Sequence, residues 1–244
     1  MTDYDHGGTD YTAVLRTMHR WLKPAAYLEI GTLEGLTLGA ATCPSIAIDP
    51  LFQIADATLI TNKPRCHLFQ CTSDAFFDRH DPRALLGGPI DLVFLDGMHH
   101  CEFLLRDFIN TERFCRPDSV IVMHDCVPVE VPMAERDRSR AVNEQAHHAG
   151  WWTGDVWRTA VALKRFRPDL SVRAFDAPPT GLVVISGLAP ASDVLSRNYA
   201  AMIQAMMSWS LVLSDLYQEL RLESTAAIGT AERMLEAYQM GPRT

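Results

Sequence analysis

Short apolar runs alternate with helix-like segments along the first half of the chain, and this alternation restricts the fold more than any other feature. The apolar runs are AAYLEIG, SIAIDP, CHLFQC, DLVFLDG and SVIVMHD, at residues 25–31, 45–50, 66–71, 91–97 and 119–125. Runs of this length are typical of strands buried on both faces, which are usually parallel. Helical segments are expected before and between them, at residues 11–22, 35–42, 54–59, 74–86 and 100–114. The pattern predicts an α/β fold with a doubly wound sheet.

The sequence after the fifth run has a different rhythm. Residues 126–150 form a long polar loop without a clear period, of a kind that is usually functional or disordered. A helix is expected over residues 155–166. Residues 170–188 contain two strands around a Pro-Pro-Thr-Gly turn, and strands joined so closely are antiparallel. We therefore expect a seven-stranded sheet that ends in an antiparallel pair.

Residues 190–244 are predicted to be helical and to extend a domain that spans residues 1–189. Apolar residues repeat at alternating spacings of four and three from Leu195 to Leu220, which is the pattern of a helix that packs along one seam. Two interpretations stay open, because periodicity does not name the partner. The helix either covers a face of its own sheet or pairs two chains into a homodimer through residues 190–222.

Charge and composition exclude several classes of partner. The 244 residues carry a formal net charge of −8 and no long basic run, so nucleic acid and anionic membrane surfaces are not expected to bind. The charge-free stretch at residues 198–214 is too short and too polar to span a bilayer. The first residues, MTDYDHGG, are unlike a signal peptide. The six cysteines form no Cys-x-x-Cys motif, which favours a cytoplasmic protein.

Ligands bind open α/β sheets at the carboxyl ends of the strands, so the residues at those ends are candidates for a site. The first strand ends in Glu29-Ile-Gly31-Thr32 and leads to Gly35. Gly31 permits a sharp turn and a close approach of a ligand to the backbone. A helix that begins at Gly35 would favour an anionic group at its free N–H groups. The alternative is an ordinary strand-to-helix turn.

The second and third strands end in polar residues that suit a nucleoside. Asp49 lies 20 positions after Glu29, where a carboxylate can accept hydrogen bonds from a ribose diol. Ser73 and Asp74 follow the third strand, where a hydroxyl and a carboxylate can meet the edge of adenine. The alternative for Ser73 is that it caps the next helix.

The fourth and fifth strands end in carboxylates that can share a cation. Asp96 ends one strand and Asp125 the next. Neighbouring strands lie about 4.8 Å apart, so the two side chains can converge, and oxygen ligands suit Mg²⁺. The alternative is that one carboxylate caps a helix and the other anchors a loop. His99, three residues after Asp96, is the histidine best placed to act as a general base.

Substrate contacts are expected from the long loop and from the segment that follows it. Three tryptophans lie within residues 151–157, which is more than one helix start requires. Trp151 and Trp152 are predicted to wall a pocket for an aromatic or sugar group, with Asp155 or Arg158 as the polar anchor. The alternative is that this segment only docks onto the sheet, with Asp155 as a helix cap.

Four segments occur in an order and spacing that resemble class I S-adenosylmethionine-dependent methyltransferases: EIGTLEG, IAIDP, DLVFLDGMHH and IVMHDC. The chain is most similar to the small-molecule O-methyltransferase branch with the Asp-Gly-x-His motif, which includes macrolide and aminocoumarin sugar methyltransferases. The resemblance covers about residues 10–188. It implies a Rossmann-like fold, S-adenosylmethionine as the cofactor and a divalent metal such as Mg²⁺.

The resemblance also implies roles for individual residues. Those that line the methionine end of the cofactor would be Glu29, Gly31, Thr32 and Gly35. Those that contact the ribose and lie near the adenine would be Asp49, Ser73 and Asp74. The metal ligands would be Asp96 and Asp125, and the catalytic base would be His99.

The sequence therefore predicts methyl transfer to a hydroxyl of a small metabolite, such as a sugar or a natural-product intermediate. An N-methyltransferase on the same scaffold, which would need no metal, is the near alternative. A nicotinamide-dependent oxidoreductase is disfavoured because the Gly-x-Gly-x-x-Gly fingerprint is absent. A non-catalytic protein that uses the C-terminal seam for assembly is a third possibility, and cofactor binding distinguishes it from the enzymes.

Overall fold

A seven-stranded sheet forms the centre of the computed structural model, which describes residues 5–229 and residue 233. The strands are β1 (Tyr27–Ile30), β2 (Ser45–Ile48), β3 (Cys66–Phe69), β4 (Ile90–Leu95), β5 (Cys115–His124), β6 (Ser171–Phe175) and β7 (Leu182–Ser186). The described α-helices are α1 (Tyr11–Leu22), α2 (Thr58–Thr61), α3 (Ser73–Arg79), α4 (Pro82–Leu86), α5 (Cys101–Glu112), α6 (Trp157–Phe166), α7 (Val194–Arg197), α8 (Tyr199–Met207) and α9 (Leu213–Leu220).

The strand order is β3-β2-β1-β4-β5-β7-β6. Strands β1 to β5 are parallel, and β7 runs antiparallel to both of its neighbours. This topology confirms the predicted doubly wound sheet with a final antiparallel pair. Every helix that the structure describes falls short of the length and apolarity that a bilayer span requires.

The sheet separates two layers of apolar side chains, because neighbouring residues of a strand point to opposite faces. In β1, Tyr27 packs with Leu15 and Met18 of α1, whereas Leu28 belongs to the layer that contains Leu105 of α5. All residues of β1, β2 and β4 are buried. Each of these strands is thus held from both sides, which fixes the position of its carboxyl end.

The first helix shows how the local sequence sets the ends of an element. α1 occupies the predicted residues, and the Asp10 side chain accepts a hydrogen bond from the backbone N–H of Thr12 at 2.9 Å, as an N-cap does. Lys23 adopts a left-handed conformation and Pro24 follows it, so the helix ends there.

Three predicted helices differ in the structure, and the one expected over residues 54–59 is displaced to α2 at Thr58–Thr61. The described residues 35–42 form no α-helix but only a 3₁₀ turn at Leu38–Ala40, because glycines and threonines in this segment are weak helix formers. The expected helix terminus for an anionic group is therefore absent from these residues. The helix predicted over residues 74–86 is divided into α3 and α4, because Asp81 caps a new helix that begins at Pro82.

The described part of the C-terminal extension consists of short helices rather than one continuous seam. The chain turns between α8 and α9, because Arg158 donates hydrogen bonds to the carbonyl oxygens of Met206 and Trp209. The fully buried seam residues lie in the same core as the sheet, namely Leu195, Met202, Met206, Leu216 and Leu220. Pairing of two chains through residues 190–222 and a domain boundary at residue 189 stay predictions. The helical prediction for residues 230–232 and 234–244 lies outside the described residues.

Candidate active site

A cavity of about 710 Å³ lies at the carboxyl ends of the parallel strands, within the size range of small-molecule sites. The predicted site residues that line it are Gly31, Asp49, Ser73, Asp74, Asp96, His99, Asp125 and Trp152. The predicted residues that do not line it are Glu29, Thr32, Gly35, Trp151, Asp155 and Arg158. The fold thus brings together the predicted residues at the strand ends. Most of the other predicted residues do not line the cavity.

The carboxylate of Asp49 is held in one orientation at the end of β2. Its Oδ2 accepts a hydrogen bond from the backbone N–H of Leu33 at 2.8 Å, and its Oδ1 accepts one from the N–H of Leu51 at 2.7 Å. Each oxygen of an ionised carboxylate has about two acceptor sites, so both can also accept from a ligand. A fixed pair of acceptors therefore faces the cavity.

The residues after β3 present a different set of polar groups. Asp74 binds Arg106 through two hydrogen bonds, from Nε at 3.0 Å and from Nη2 at 2.7 Å. Thr72 is the cap of α3, because its hydroxyl accepts from the N–H of Ala75 at 3.3 Å. This corrects the alternative in which Ser73 caps the helix, and it leaves the Ser73 hydroxyl at the cavity.

A buried carboxyl on α5 also lines the cavity. Asp107 is 3% exposed, and its Oδ1 has no hydrogen-bond partner among the described residues. Burial raises the pKa of Asp107 to about 7, although the hydrogen bond with Ser73 lowers it. Near neutral pH this carboxyl therefore exists in both protonation states, and its protonated form can donate a hydrogen bond.

The first strand contributes its backbone more than its side chains. Gly31 has a φ of 85°, and a Cβ there would lie 1.9 Å from the carbonyl oxygen of Asp96, so only glycine lets β1 and β4 approach at this point. Glu29 is buried and accepts a hydrogen bond from the Tyr27 hydroxyl at 2.5 Å. Burial raises the pKa of Glu29 to about 7. Thr32 is buried as well, so neither Glu29 nor Thr32 lines the cavity, and their assignment to the methionine end of the cofactor stays a prediction.

Two carboxylates and two imidazoles meet at the ends of β4 and β5, and we refer to Asp96, His99, His124 and Asp125 as the strand-end cluster. His99 Nε2 lies 3.1 Å from Asp125 Oδ2 and 3.6 Å from Asp96 Oδ1. His124 Nδ1 lies 3.2 Å from Asp96 Oδ1. The Thr180 hydroxyl donates a hydrogen bond to Asp125 Oδ1. The two carboxylates therefore converge around histidine nitrogens.

Charge attraction shifts the pKa values within the strand-end cluster. Burial would lower the pKa of His99, but the negative charges of Asp125 and Asp96 raise it to about 9. Burial would also lower the pKa of His124, and the same two carboxylates raise it to about 8. Burial would raise the pKa of Asp96, but His124 lowers it to about 2. The imidazoles thus supply positive charge between the carboxylates.

The backbone fixes the orientation of the His99 ring. Its Nδ1 lies 2.8 Å from the carbonyl oxygen of Trp152, and because a carbonyl only accepts, Nδ1 carries a hydrogen. Nε2 is therefore the nitrogen that can exchange a proton with a ligand. The Trp152 indole stacks on the imidazole, with 5.0 Å between the ring centroids. Trp152 thus both lines the cavity and orients His99.

Both ends of the loop beside the cavity contact the site, and we refer to residues 127–154 as the covering loop. At its start, the N–H of Val127 donates to the carbonyl oxygen of Thr180 at 3.0 Å. At its end, Gly154 has a φ of 56°, and a Cβ there would lie 1.7 Å from the carbonyl oxygen of His99. Arg138 of this loop lines the cavity above the Trp152 ring.

Asp155 and Arg158 hold the covering loop to the helices instead of lining the cavity. Asp155 is 1% exposed, accepts a hydrogen bond from the N–H of Cys101 at 2.9 Å and pairs with Arg136 at 2.6 Å. Arg158 lies 3.2 Å from Asp155 and also donates to carbonyl oxygens of the C-terminal extension. These ion pairs give both residues a structural role, and the prediction that either anchors a substrate stays a prediction.

Trp151 and Gly35 also lie away from the cavity lining. The Trp151 ring packs on His148, with 4.7 Å between the ring centroids. A Cβ at Gly35 would lie 3.2 Å from Ile54 Cγ1, so this glycine allows a close contact within the fold. Both residues have structural partners outside the cavity lining, and their assignment to substrate and cofactor stays a prediction.

The donor atoms of the strand-end cluster fit a divalent cation. Ligand atoms of Asp96, His124 and Asp125 all lie within 4.8 Å of one another. Carboxylate oxygens suit Mg²⁺, and an imidazole nitrogen extends the choice to transition metals. Cys126 is buried, and its thiol hydrogen-bonds to the carbonyl oxygen of His124 at 3.3 Å.

Three acidic or basic residues of the cavity were not singled out from the sequence, namely Asp107, His124 and Arg138. His124 is adjacent to Asp125 at the end of a strand, and that position was the available signal. Asp107 and Arg138 have no local pattern that separates them from ordinary residues of a helix and of a polar loop.

Comparison with known proteins agrees with this description. Residues 28–126 match the model of a family described as a methyltransferase domain, and this range includes β2 to β5, all of β1 except Tyr27, and the strand-end cluster. No curated protein sequence matches the chain.

Two solved structures have a similar fold. The SAH-bound methyltransferase PaMTH1 from Podospora anserina is 14% identical, with a TM-score of 0.50 over 72% of this chain and 76% of that one. The cofactor-bound protein Rv0187 from MTB is 17% identical, with a TM-score of 0.51 over 72% of this chain and 78% of that one. The matched residues and the sheet topology together show a Rossmann-like methyltransferase fold.

Proposed function

We propose that the chain transfers the methyl group of S-adenosylmethionine to a hydroxyl of a small acceptor, such as a sugar or a natural-product intermediate, with His99 as the general base. The observation that carries this proposal is the position of His99 in the cavity. Its Nδ1 is fixed by the Trp152 carbonyl, and its Nε2 lies beside Asp96 and Asp125. The two carboxylates raise the pKa of His99 to about 9, so His99 takes a proton from a bound hydroxyl above this pKa or when a cation on Asp96 and Asp125 lowers it.

The cavity residues fit S-adenosylmethionine, which supplies a methyl group activated by a positively charged sulfur. Asp49 presents two oriented oxygens for the ribose diol. Ser73, Asp74 and Asp107 offer a hydroxyl and two carboxyl groups for the adenine edge. The similar Podospora protein is bound to SAH, which supports the same choice of cofactor.

A divalent cation, with Mg²⁺ as the first candidate, fits the strand-end cluster. Asp96, His124 and Asp125 would hold it, because their ligand atoms lie within 4.8 Å of one another. Such a cation would lower the pKa of a hydroxyl bound to it. The convergence of two carboxylates on one point supports this part of the proposal.

The residues of the chain align the acceptor and move its proton. The acceptor oxygen loses its proton to His99 Nε2 and attacks the methyl carbon as the bond from that carbon to sulfur breaks. Asp125 and Asp96 stabilise the imidazolium that forms, and the Trp152 carbonyl keeps Nδ1 protonated throughout. The Trp152 ring offers a flat surface against which a ring-shaped acceptor can pack.

The test is methyl transfer from S-adenosylmethionine with a labelled methyl group to a panel of phenols, catechols, glycosides and amines. We expect an O-methylated product, and we expect His99→Ala to lower its rate of formation by about 100- to 10,000-fold. His100→Ala is the matched control, because His100 contacts the carbonyl oxygen of Arg136 and does not line the cavity. N-methylated products only, or full activity of His99→Ala, would overturn the assignment of acceptor or base.

A further inference from the structure

A second group of histidines and carboxylates joins the N-terminal segment to the covering loop, and we refer to Asp5, Glu130, His147 and His148 as the loop cluster. His148 Nε2 lies 2.6 Å from Asp5 Oδ1, and His147 Nε2 lies 3.0 Å from Asp5 Oδ2. His148 Nδ1 is hydrogen-bonded to Glu130. Both imidazoles therefore direct their Nε2 atoms toward the carboxylate of Asp5.

His148 lies between two carboxylates and is only 2% exposed. A carboxylate accepts hydrogen bonds but does not donate them, and a cation at Nε2 can take the place of a proton between this nitrogen and Asp5. Glu130 is itself oriented, because its Oε2 accepts a hydrogen bond from the backbone N–H of Glu144 at 2.8 Å. A carboxylate on Nδ1 is the usual partner of a histidine that binds metal through Nε2.

We propose that the loop cluster is a second metal site, which binds a divalent transition-metal ion, with zinc as the best fit, through Asp5, His147 and His148. The ligand atoms of these three residues all lie within 4.8 Å of one another. Two imidazole nitrogens and one carboxylate are a donor set that suits zinc, with water in the fourth position. Glu130 is the residue that orients His148 for this purpose.

The site ties two distant parts of the chain together beside the cavity. Asp5 and His148 are 143 positions apart in the sequence, and Gly150 and Trp152, which line the cavity, follow His148 closely. The Asn143 amide also donates to the carbonyl oxygens of His148 and Trp151. A bound metal would therefore fasten the covering loop in the position that holds Trp152 at the cavity. This inference does not depend on the acceptor or on the methyl donor.

The experiment is a zinc titration of the full chain, read by competition with a chromophoric chelator and by the visible absorption of bound cobalt. The variant Asp96→Asn/Asp125→Asn is the background, because it removes zinc binding at the strand-end cluster. In this background we expect one equivalent of zinc. We expect Asp5→Asn and His147→Ala to lower its affinity at least about 100-fold, and Glu130→Gln to lower it about 10- to 100-fold. Asp137→Asn is the matched control, since Asp137 is an exposed aspartate of the same loop.

Two results would overturn the proposal. One is that the Asp96→Asn/Asp125→Asn background binds no zinc, which would assign all zinc binding to the strand-end cluster. The other is that Asp5→Asn and His147→Ala leave the affinity unchanged. If the background variant does not fold, the same titration in the otherwise unaltered chain serves, where loss of one zinc equivalent in Asp5→Asn supports the site and no loss refutes it. Zinc should also slow proteolysis within residues 130–150 in the unaltered chain but not in Asp5→Asn.

Discussion

The strand-end cluster and the loop cluster contain the same kinds of groups on different supports. Each combines two histidines with two carboxylates. The strand-end cluster is built on neighbouring strands whose backbones are hydrogen-bonded to each other. The loop cluster is built on a loop and an N-terminal segment, and the His147 side chain is 55% exposed. The strand-end cluster is held rigidly by the sheet, which suits the proton transfer that we propose for it. The loop cluster joins two segments that can move apart, which suits the proposed role of holding the covering loop in place.

The largest effect is expected from a substitution in the strand-end cluster. Asp125→Asn removes a charge that stabilises the His99 imidazolium, and we expect kcat for methyl transfer to fall about 100-fold or more while the Kd for S-adenosylmethionine changes little. The matched change in the loop cluster, Glu130→Gln, should lower kcat less than about tenfold, because Glu130 contacts His148 and not His99. Equal losses in both variants would mean that the two clusters act as one unit.

Two glycines of the covering loop have a positive φ but differ in the space around them, so substitutions at these positions test the role of the loop backbone. Gly154→Ala places a methyl group against the His99 carbonyl, so we expect a loss of activity of about tenfold or more and a fall in the free energy of unfolding beyond the ~1–2 kcal/mol of backbone strain. Gly150→Ala is the control for stability, since Gly150 also has a positive φ but open space around its Cβ. Denaturant titrations that do not distinguish the two variants would contradict this role of Gly154.

Asp107 shows what a buried carboxyl does at this cavity without an imidazole partner. Its raised pKa means that it binds a proton more tightly in the folded chain than in the unfolded one. The free energy of unfolding therefore falls as the pH rises from about 4 to about 7. Asp107→Asn removes this loss, so we expect the variant to gain about 1–3 kcal/mol over the unaltered chain at about pH 8, and less at about pH 4.5. Thermal unfolding at both pH values measures this, with the exposed Asp78→Asn as the control; a gain independent of pH would contradict it.

The smallest expected effect concerns the exposed part of the covering loop. Arg138 lies above the Trp152 ring, 5.8 Å from its centroid. Arg138→Ala should raise the KM for the acceptor about two- to sixfold with little change in kcat, which is the range of an exposed cation–π contact. Arg140→Ala in the same turn, where Arg140 pairs with Asp137, should leave KM within about twofold. A change in kcat without a change in KM would contradict this prediction, because it would mean that Arg138 affects proton transfer rather than acceptor binding.

The sheet and the residues at its strand ends were predictable because topology alone brings them together. Parallel strands end at one edge, so Asp49, Asp96 and Asp125 had to lie near one another once the strands were recognised. His124 was harder to assign, because neighbouring strand residues normally face opposite sides. The backbone at Asp125 is left-handed, with a φ of 59°. At this turn the adjacent side chains of His124 and Asp125 both reach the site.

The covering loop was not predictable in the same way. The side chain of Asp155 is fixed by Arg136 and by the N–H of Cys101, and neither contact follows from local sequence. The C-terminal seam failed as one helix for a similar reason, since Arg158 takes up two carbonyl oxygens between α8 and α9. Periodicity records which residues are apolar, but a single partly buried arginine can bind the carbonyl oxygens at which the chain turns.

One stretch of the covering loop is a replaceable part. The ends of the loop depend on contacts within it, because the N–H groups of Thr153 and Gly154 both donate to the carbonyl oxygen of Met133. The turn at residues 137–142 is bonded mainly within itself, so segments of other sequence can be grafted in its place while the Trp152 carbonyl keeps its contact with His99. For enzyme engineering, this would separate the choice of acceptor from the residues proposed to remove its proton.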